Sequence, residues 1–318
     1  MQLSDNDLMV FDRKVLKLPE DDRKVYMRQV DYLIDRLETK IKEDGSFGVR
    51  KFLKAGSLRK RTVLKPRDGF GVDADIAVYL KVGDGFDLNT LHDTICSLLI
   101  AIYPQKSPDD FQVQPRTLGI EFQDSGLAVD LVPVMPLDDE PDDYGLQPSS
   151  RDDLPVKTSI PGQLNFIQQR VNGDPNYRKL VRMLKYWRNR QDLVDSLRSF
   201  AIELIAAHLQ DTQGPMTSLE EGLTRFFLFI AQTQLMTPIT FADHGSKPEL
   251  PNDPVVILDP VNGDNNVTKR ITIDERNAII DLALEAWEKL NSAHWKTTKG
   301  ETVECWRAVF GRSFTIEE

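Results

Sequence analysis

Cysteine and histidine are scarce: Cys96 and Cys305 are the only thiols in 318 residues, accompanied by four scattered histidines. Two distant thiols build no disulfide framework, and no His and Cys spacing fits a zinc site. Both cysteines read as small apolar side chains of amphipathic helices. Long hydrophobic runs are missing as well. No stretch reaches the roughly 18 apolar residues that cross a bilayer, and the start, MQLSDNDLMVFDRK, has no apolar signal region. A soluble cytoplasmic protein without a membrane partner is expected. Basic charge is outnumbered, with 40 Lys and Arg against 50 Asp and Glu for a formal charge of -10. Neutralising phosphates supplies most of the affinity for long nucleic acid, so gripping it is not this chain's main business. Repeats and low-complexity tails are absent too. What is present is length for one large or two modest domains and 40% hydrophobic residues to build their cores.

Against that background three acids stand out, Asp73 and Asp75 in VDADIAVYL and Asp130 in LAVDLVPV. Each sits in an apolar, strand-forming run. Strand alternation sends Asp73 and Asp75 to one face and Ala74, Ile76, Val78 and Leu80 to the other. Carboxylates in such strands are costly unless something compensates them. Divalent cations do so, because Mg2+ is a hard ion that prefers carboxylate and phosphate oxygens. Two such ions about 3.5–4 Å apart clamp the attacking and leaving oxygens of a phosphoryl displacement, so nucleotidyl transfer is the first suspect. Upstream, AGSLRKRT places a Gly-Ser turn, Gly56 and Ser57, between a strand at Val49–Leu53 and a short helix. Backbone N–H groups and a hydroxyl at such a turn suit an anion. Between Arg50 and Arg67 lie eight Lys or Arg and no acid, a block that suits a metal-triphosphate.

Periodicity predicts an amphipathic helix over 21–43, with Val30, Leu33, Ile34, Leu37 and Ile41 inward and Gly45 as its stop. Another follows over 88–102, then two strands around the hairpin turn 123–126. The second strand, Leu127–Val134, is apolar except at Asp130, which makes sense if that acid reaches the same metals as Asp73 and Asp75. Residues 136–155 are Pro-rich and acidic and mark a crossing between lobes. Asp138, Asp139, Asp142 and Asp143 there read as solvated loop acids, not ligands. Beyond, helices are expected over 162–171, 175–191, 197–209, 218–235, 274–291 and 301–310. Thr217 with Glu220 reads as an N-terminal signal for the fourth of these. In the second, Arg178, Arg182, Lys185 and Asn189 form a cationic row suited to a triphosphate or to solvent, while Tyr186 and Trp187 read as core.

The order GSLRKRT, DADIAVYL and VDLVPV resembles the polymerase-beta-type nucleotidyltransferases, and more narrowly the bacterial cGAS/DncV-like enzymes (CD-NTases) of CBASS anti-phage defence. TSIPGQLNFI, LVRMLKYW, LRSFAIELI, ILDPVNGDNNV and WRAVFGRSF extend the resemblance from about Ala55 to Phe314. ILDPVNGDNNV is also similar to the oligoadenylate synthetases of animals. Within the bacterial family the chain resembles most the clade C, HORMA-associated cyclic oligoadenylate synthases.

That resemblance implies an α+β fold: a polymerase-beta-like lobe with a mixed β-sheet and an N-terminal spine helix over 1–160, and a helical lobe over 161–318, with the active site in the cleft between. It implies that Asp73, Asp75 and Asp130 hold two Mg2+ ions, for which Mn2+ substitutes, and that Gly56, Ser57, Lys185 and Ser199 bind nucleotide phosphates. Lys185 and Ser199 are assigned by resemblance alone. ILDPVNGDNNV is implied to be a structural loop lining the cleft, with a direct nucleotide role for Asp259 or Asn266 left open. The implied activity joins ATP into a cyclic oligonucleotide, cyclic tri-AMP in particular, with release of pyrophosphate. Implied partners are ATP, with other NTPs left open, a regulatory HORMA-domain protein and a downstream effector nuclease that reads the product. The DNA-responsive mammalian relative uses a zinc-bearing insertion and basic surfaces, neither visible here, so no long nucleic acid is expected to be required. The chain ends in FTIEE, not in the small residue at which relatives are conjugated, which favours partner binding. Alternatives stay open: a cyclic dinucleotide or mixed-base product, an adenylyltransferase acting on a protein or RNA end, or an inactive nucleotide-sensing module.

Overall fold

The computed structural model describes residues 3–67, 71–81, 88–107, 110–114, 116–137, 141, 143–148, 155–244 and 248–317. Asp138, Asp139 and Asp142 lie outside the described residues. The chain divides into two compact units, residues 18–164 and residues 1–17 together with 165–318.

The first unit is built on a mixed five-stranded sheet. In chain order its strands are β1 (Gly48–Ala55), β2 (Val72–Lys81), β3 (Phe111–Val113), β4 (Leu118–Phe122) and β5 (Leu127–Val134), and in space they run β1-β2-β5-β4-β3. Only the central β2–β5 pair is parallel; its neighbours pair antiparallel. Two helices cover one face, α2 (Glu20–Asp44) and α4 (Leu88–Ile102). Helix α2 forms where Val30, Leu33, Leu37 and Ile41 recur on one stripe, with acids in the first turn and Gly45 beyond the last residue. Burying those four side chains against the sheet contributes roughly 6–12 kcal/mol before entropy is counted. Ala74, Ile76, Val78, Leu118, Ile120, Leu127, Val129 and Leu131 are the sheet's side of that core. The other face carries Asp73, Asp75 and Asp130, and further along Ala77, Tyr79 and Val134 packed with Leu53 and Ile160. A short helix, α3 (Gly56–Lys60), begins at the residue after β1. A two-stranded sheet of β6 (Gly145–Gln147) and β7 (Val156–Thr158) lies in the acidic stretch.

The second unit is helical, with α5 (Ile160–Gly173) leading in from the first. Its other helices are α6 (Tyr177–Arg190), α7 (Ser199–Gln213), α8 (Leu219–Thr233), α9 (Ile273–His294) and α10 (Lys299–Phe310). The pair β8 (Leu258–Asp259) and β9 (Asn262–Asn266) interrupts them. Each expected helix is present, shifted by a few residues. The cap of α8 is Ser218, whose hydroxyl accepts from Glu221 N–H, one residue on from the Thr217–Glu220 reading. Tyr186 and Trp187 are core residues, as expected. Cys96 and Cys305 are half-buried on α4 and α10.

The N-terminus departs from expectation. Residues 1–17 were expected with the sheet-bearing lobe; they pack with the helical unit. A helix α1 (Asp5–Phe11), capped by a reciprocal Ser4–Asp7 pair, runs straight into a π-helical turn at Asp12–Leu16. Leu8, Val10, Phe11 and Leu16 are buried, and the Phe11 ring lies 4.9 Å from Phe314 and 5.7 Å from Tyr186. The apolar content of LMVFDRKVL drives this docking, and Asp12 completes it with a fork of two 2.7 Å hydrogen bonds from Arg182. Among the described residues no helix is long and apolar enough to cross a membrane.

Candidate active site

The three acids occupy one face of the β2–β5 pair for a reason visible in the register. Asp75 and Asp130 are direct partners across the parallel pair, and Asp73 is matched with Ala128 two residues earlier. Adjacent strands lie about 4.8 Å apart, so Asp75 and Asp130 leave the sheet side by side. Asp73 is exposed, while Asp75 and Asp130 are half-buried. Asp130's carboxyl is pushed up to about 6, first by burial, then by the negative charges of Asp75 and Asp73. The three groups therefore feel one another electrostatically.

Gly56 explains how β1 and α3 approach them. Ala55, the last residue of β1, is register partner to Asp75, and the next residue has φ +62. A Cβ at position 56 would stand 1.5 Å from Asp75 Oδ2. Only glycine accommodates both the left-handed backbone and that contact. The turn thus seats Gly56 directly over an acid, with Ser57 following as the second residue of α3. Sequence reading missed a second space-maker, Gly119 of β4. It is paired with Asp130, and a Cβ there would lie 3.0 Å from Asp130 Oδ1. A glycine inside an otherwise apolar strand was the available signal.

Among the described residues no group of three His, Cys, Asp or Glu side chains, Asp73, Asp75 and Asp130 included, stands close enough together to hold a metal ion as it is. The acids stand as an open row on one face. Hard oxygen donors on one face, with Asp130 pushed up by burial and then by two like charges, are the type a hard divalent cation would take, and such an ion would relieve that repulsion. Much of the basic block upstream is engaged inside the unit. Lys54 pairs with Asp31, Lys51 with Asp143 at 2.6 Å, and Arg61 lies 3.7 Å from Glu20. Asp143, read as a solvated loop acid, is that lysine's ion-pair partner.

No family model matches the chain. It is 37% identical over 321 residues to the CBASS oligonucleotide cyclase CdnC of Escherichia coli strain KTE188, covering 100% of this chain and 99% of that one. The chain belongs to the CBASS oligonucleotide cyclases. A cyclic AMP-AMP-AMP synthase of E. coli strain MS 115-1 is 35% identical over 306 residues, 94% of each chain. Among solved structures, E. coli MS115-1 CdnC with ATP superposes with a TM-score of 0.85 at 33% identity over 98% of this chain and 99% of its own. A CdnC:HORMA-deltaN complex from the same strain gives 0.82 at 31% identity over 99% of both chains. The protein is accordingly a nucleotidyltransferase of the cGAS/DncV-like family, an enzyme with an α+β fold.

The remaining candidates of this cyclase lie in the helical unit. Lys185 is buried on α6, and Ser199 is the first residue of α7. A residue overlooked in the sequence connects these two helices. Arg188, one turn beyond Lys185, donates from Nη1 to Leu197 O at 3.0 Å and to Ser199 Oγ at 3.4 Å. Burial pulls its guanidinium down to about 10. Arg182, placed in a cationic row by its spacing, is instead committed to Asp12 and buried. Arg178 donates to Gln168. Asn266 in ILDPVNGDNNV is a buried structural hub: its Nδ2 donates to Asp253 and Val255 O, and its Oδ1 accepts from Ile257 and Thr268. Asp259 accepts from Val261 N and Asn265 Nδ2 within the same loop. Both side chains serve the loop's own fold.

Proposed function

We propose that this cyclase joins ATP molecules into a cyclic trinucleotide, cyclic tri-AMP, with Asp73, Asp75 and Asp130 as its catalytic carboxylates. The observation that carries the reading is the parallel register that sets Asp75 beside Asp130 on the face carrying Asp73. The cyclic AMP-AMP-AMP synthase at 35% identity supports the choice of product.

Asp130 accepts the proton of the attacking ribose hydroxyl. The hydroxyl oxygen bonds to the α-phosphorus of a second ATP while the bond from that phosphorus to the bridging oxygen breaks. Pyrophosphate leaves. Asp73 and Asp75, with Asp130, would hold Mg2+, which neutralises the charge that develops on the phosphoryl oxygens. Gly56 and Ser57 bind the β- and γ-phosphates, and Lys185 and Ser199 contribute further phosphate contacts. Repetition on the growing chain, then attack by its own free hydroxyl, closes the ring. We further propose a HORMA-domain regulator, supported by the E. coli CdnC:HORMA-deltaN complex, and an effector nuclease that reads the product.

Incubating the protein with ATP and MgCl2, then resolving products by mass spectrometry, tests the reading. A cyclic trimer of AMP is expected, lost in EDTA and lost in the Asp73→Asn, Asp75→Asn double variant with unchanged circular dichroism. Label bound to protein or RNA ends, or synthesis surviving in the double variant, would overturn it. Mixed nucleoside triphosphates in the same assay decide base choice.

A further inference from the structure

Two arginines of α6, Arg182 and Arg188, are 4% and 5% exposed, and their surroundings differ. Arg182 has an acid at hand, the forked Asp12 carboxylate. Among the described residues no carboxylate forms an ion pair with Arg188, and Asp195, an exposed loop residue, acts on it only from a distance. Burying a charge without a partner is unfavourable, and an anion brought close to it offsets that cost.

The hydrogen bonds of Arg188 show where its influence falls. Nε donates to Asn189 Oδ1 at 2.9 Å and Nη1 to Leu197 O at 3.0 Å, which fixes the guanidinium plane. The same Nη1 reaches Ser199 Oγ at 3.4 Å. The segment between α6 and α7 is also braced without it. Leu193 and Leu197 are buried, Leu197 N–H donates to Leu193 O at 2.8 Å, and Ser196 donates to Glu275 at 2.9 Å. What Arg188 adds is therefore felt most at Ser199. A serine hydroxyl has one proton and two lone pairs, so a cation donating to one lone pair turns the proton away from itself. Among the described residues Ser199 Oγ donates to no acceptor, and Ser199 is half-buried, which leaves that O–H available.

We propose that Arg188 is a positioning residue for nucleotide binding: by donating to Ser199 Oγ it directs the hydroxyl proton toward a phosphate oxygen and places positive charge behind it. The inference rests on the reading of Ser199 as a phosphate contact. The guanidinium touches no reacting atom, and the triphosphate serves as the counter-ion it otherwise lacks.

Binding of the non-hydrolysable analogue α,β-methylene-ATP, measured by calorimetry on the full-length protein with MgCl2, tests this without turnover. Ser199→Ala and Arg188→Met are each expected to weaken binding about tenfold. The double variant should also lose about tenfold, because both changes remove the same contact. AMP, which lacks the β- and γ-phosphates, should bind wild type and Arg188→Met equally. Unchanged affinity in Arg188→Met, an equal loss for AMP, or a loss of about 100-fold in the double variant would overturn the proposal while leaving the role of Ser199 standing. Unchanged affinity in Ser199→Ala would remove that role, and the proposal with it. Thermal unfolding checks each variant. Arg188→Lys, which keeps the charge without the planar fork, replaces Arg188→Met in the cycle if that protein fails to fold.

Discussion

Asp130 concentrates the electrostatics of this molecule in one side chain. Its carboxyl, at about 6 in the folded protein against an ordinary 3.8, binds a proton more readily folded than unfolded. Stability contributed by this group is therefore complete below about pH 4 and lost as pH rises through 6. Allowing for partial exposure, the loss amounts to about 2 kcal/mol at neutral pH. In EDTA, Asp130→Asn should unfold a few degrees above wild type at pH 7.5 and show no gain at pH 4. A gain that is equal at both pH values would refute this account. Gly56 makes a prediction of a different kind. Gly56→Ala forces a Cβ into Asp75 and strains a left-handed backbone, so synthesis should fall by about 100-fold or more while the circular dichroism stays native. Synthesis at wild-type rate would show that Asp75 moves aside without consequence. The carboxylates themselves were legible in the sequence because acids in apolar strands are anomalous. Gly119 was not, since its value lies in facing Asp130 across a strand pair.

At the scale of elements, periodicity carried most of the reading. Helix α2 and the helices from α5 onward repeat their apolar residues every three or four positions, and local pattern alone identifies them. The segment 5–16 escaped because seven helical residues followed by a π turn are too short to display a period. What holds that segment is tertiary: the forked Asp12–Arg182 pair, both side chains 5% exposed. Removing one partner from a buried pair costs about 3–5 kcal/mol, because the other charge is left stranded. Asp12→Ala should lower the urea midpoint by that measure. Arg13→Ala breaks an ion pair with Glu317 that is exposed on both sides, and should shift stability by about 0.5 kcal/mol or less. Comparable losses in the two variants would contradict the burial argument. The same pair explains why spacing misassigned Arg182: helical periodicity gives the face a residue occupies, not the partner waiting there.

At the scale of the whole molecule, the net charge of -10 bears on partners. A chain with more acids than bases gains little from long polyanions, so nucleotide synthesis should be unchanged after exhaustive nuclease treatment. A loss of activity restored by added DNA would refute this. Composition, the spacing of Asp73, Asp75 and Asp130, and the apolar periods were local quantities, and they already implied strands followed by a run of helices and phosphoryl chemistry, while the mixed sheet was implied by the family resemblance. Which unit the first seventeen residues join, which cations are occupied by acids, and which glycines clear space for the carboxylates depended on residues far apart in the chain. Secondary structure and residue chemistry are written in near neighbours, whereas a pairing such as Asp12 with Arg182 exists only once packing has brought its members together.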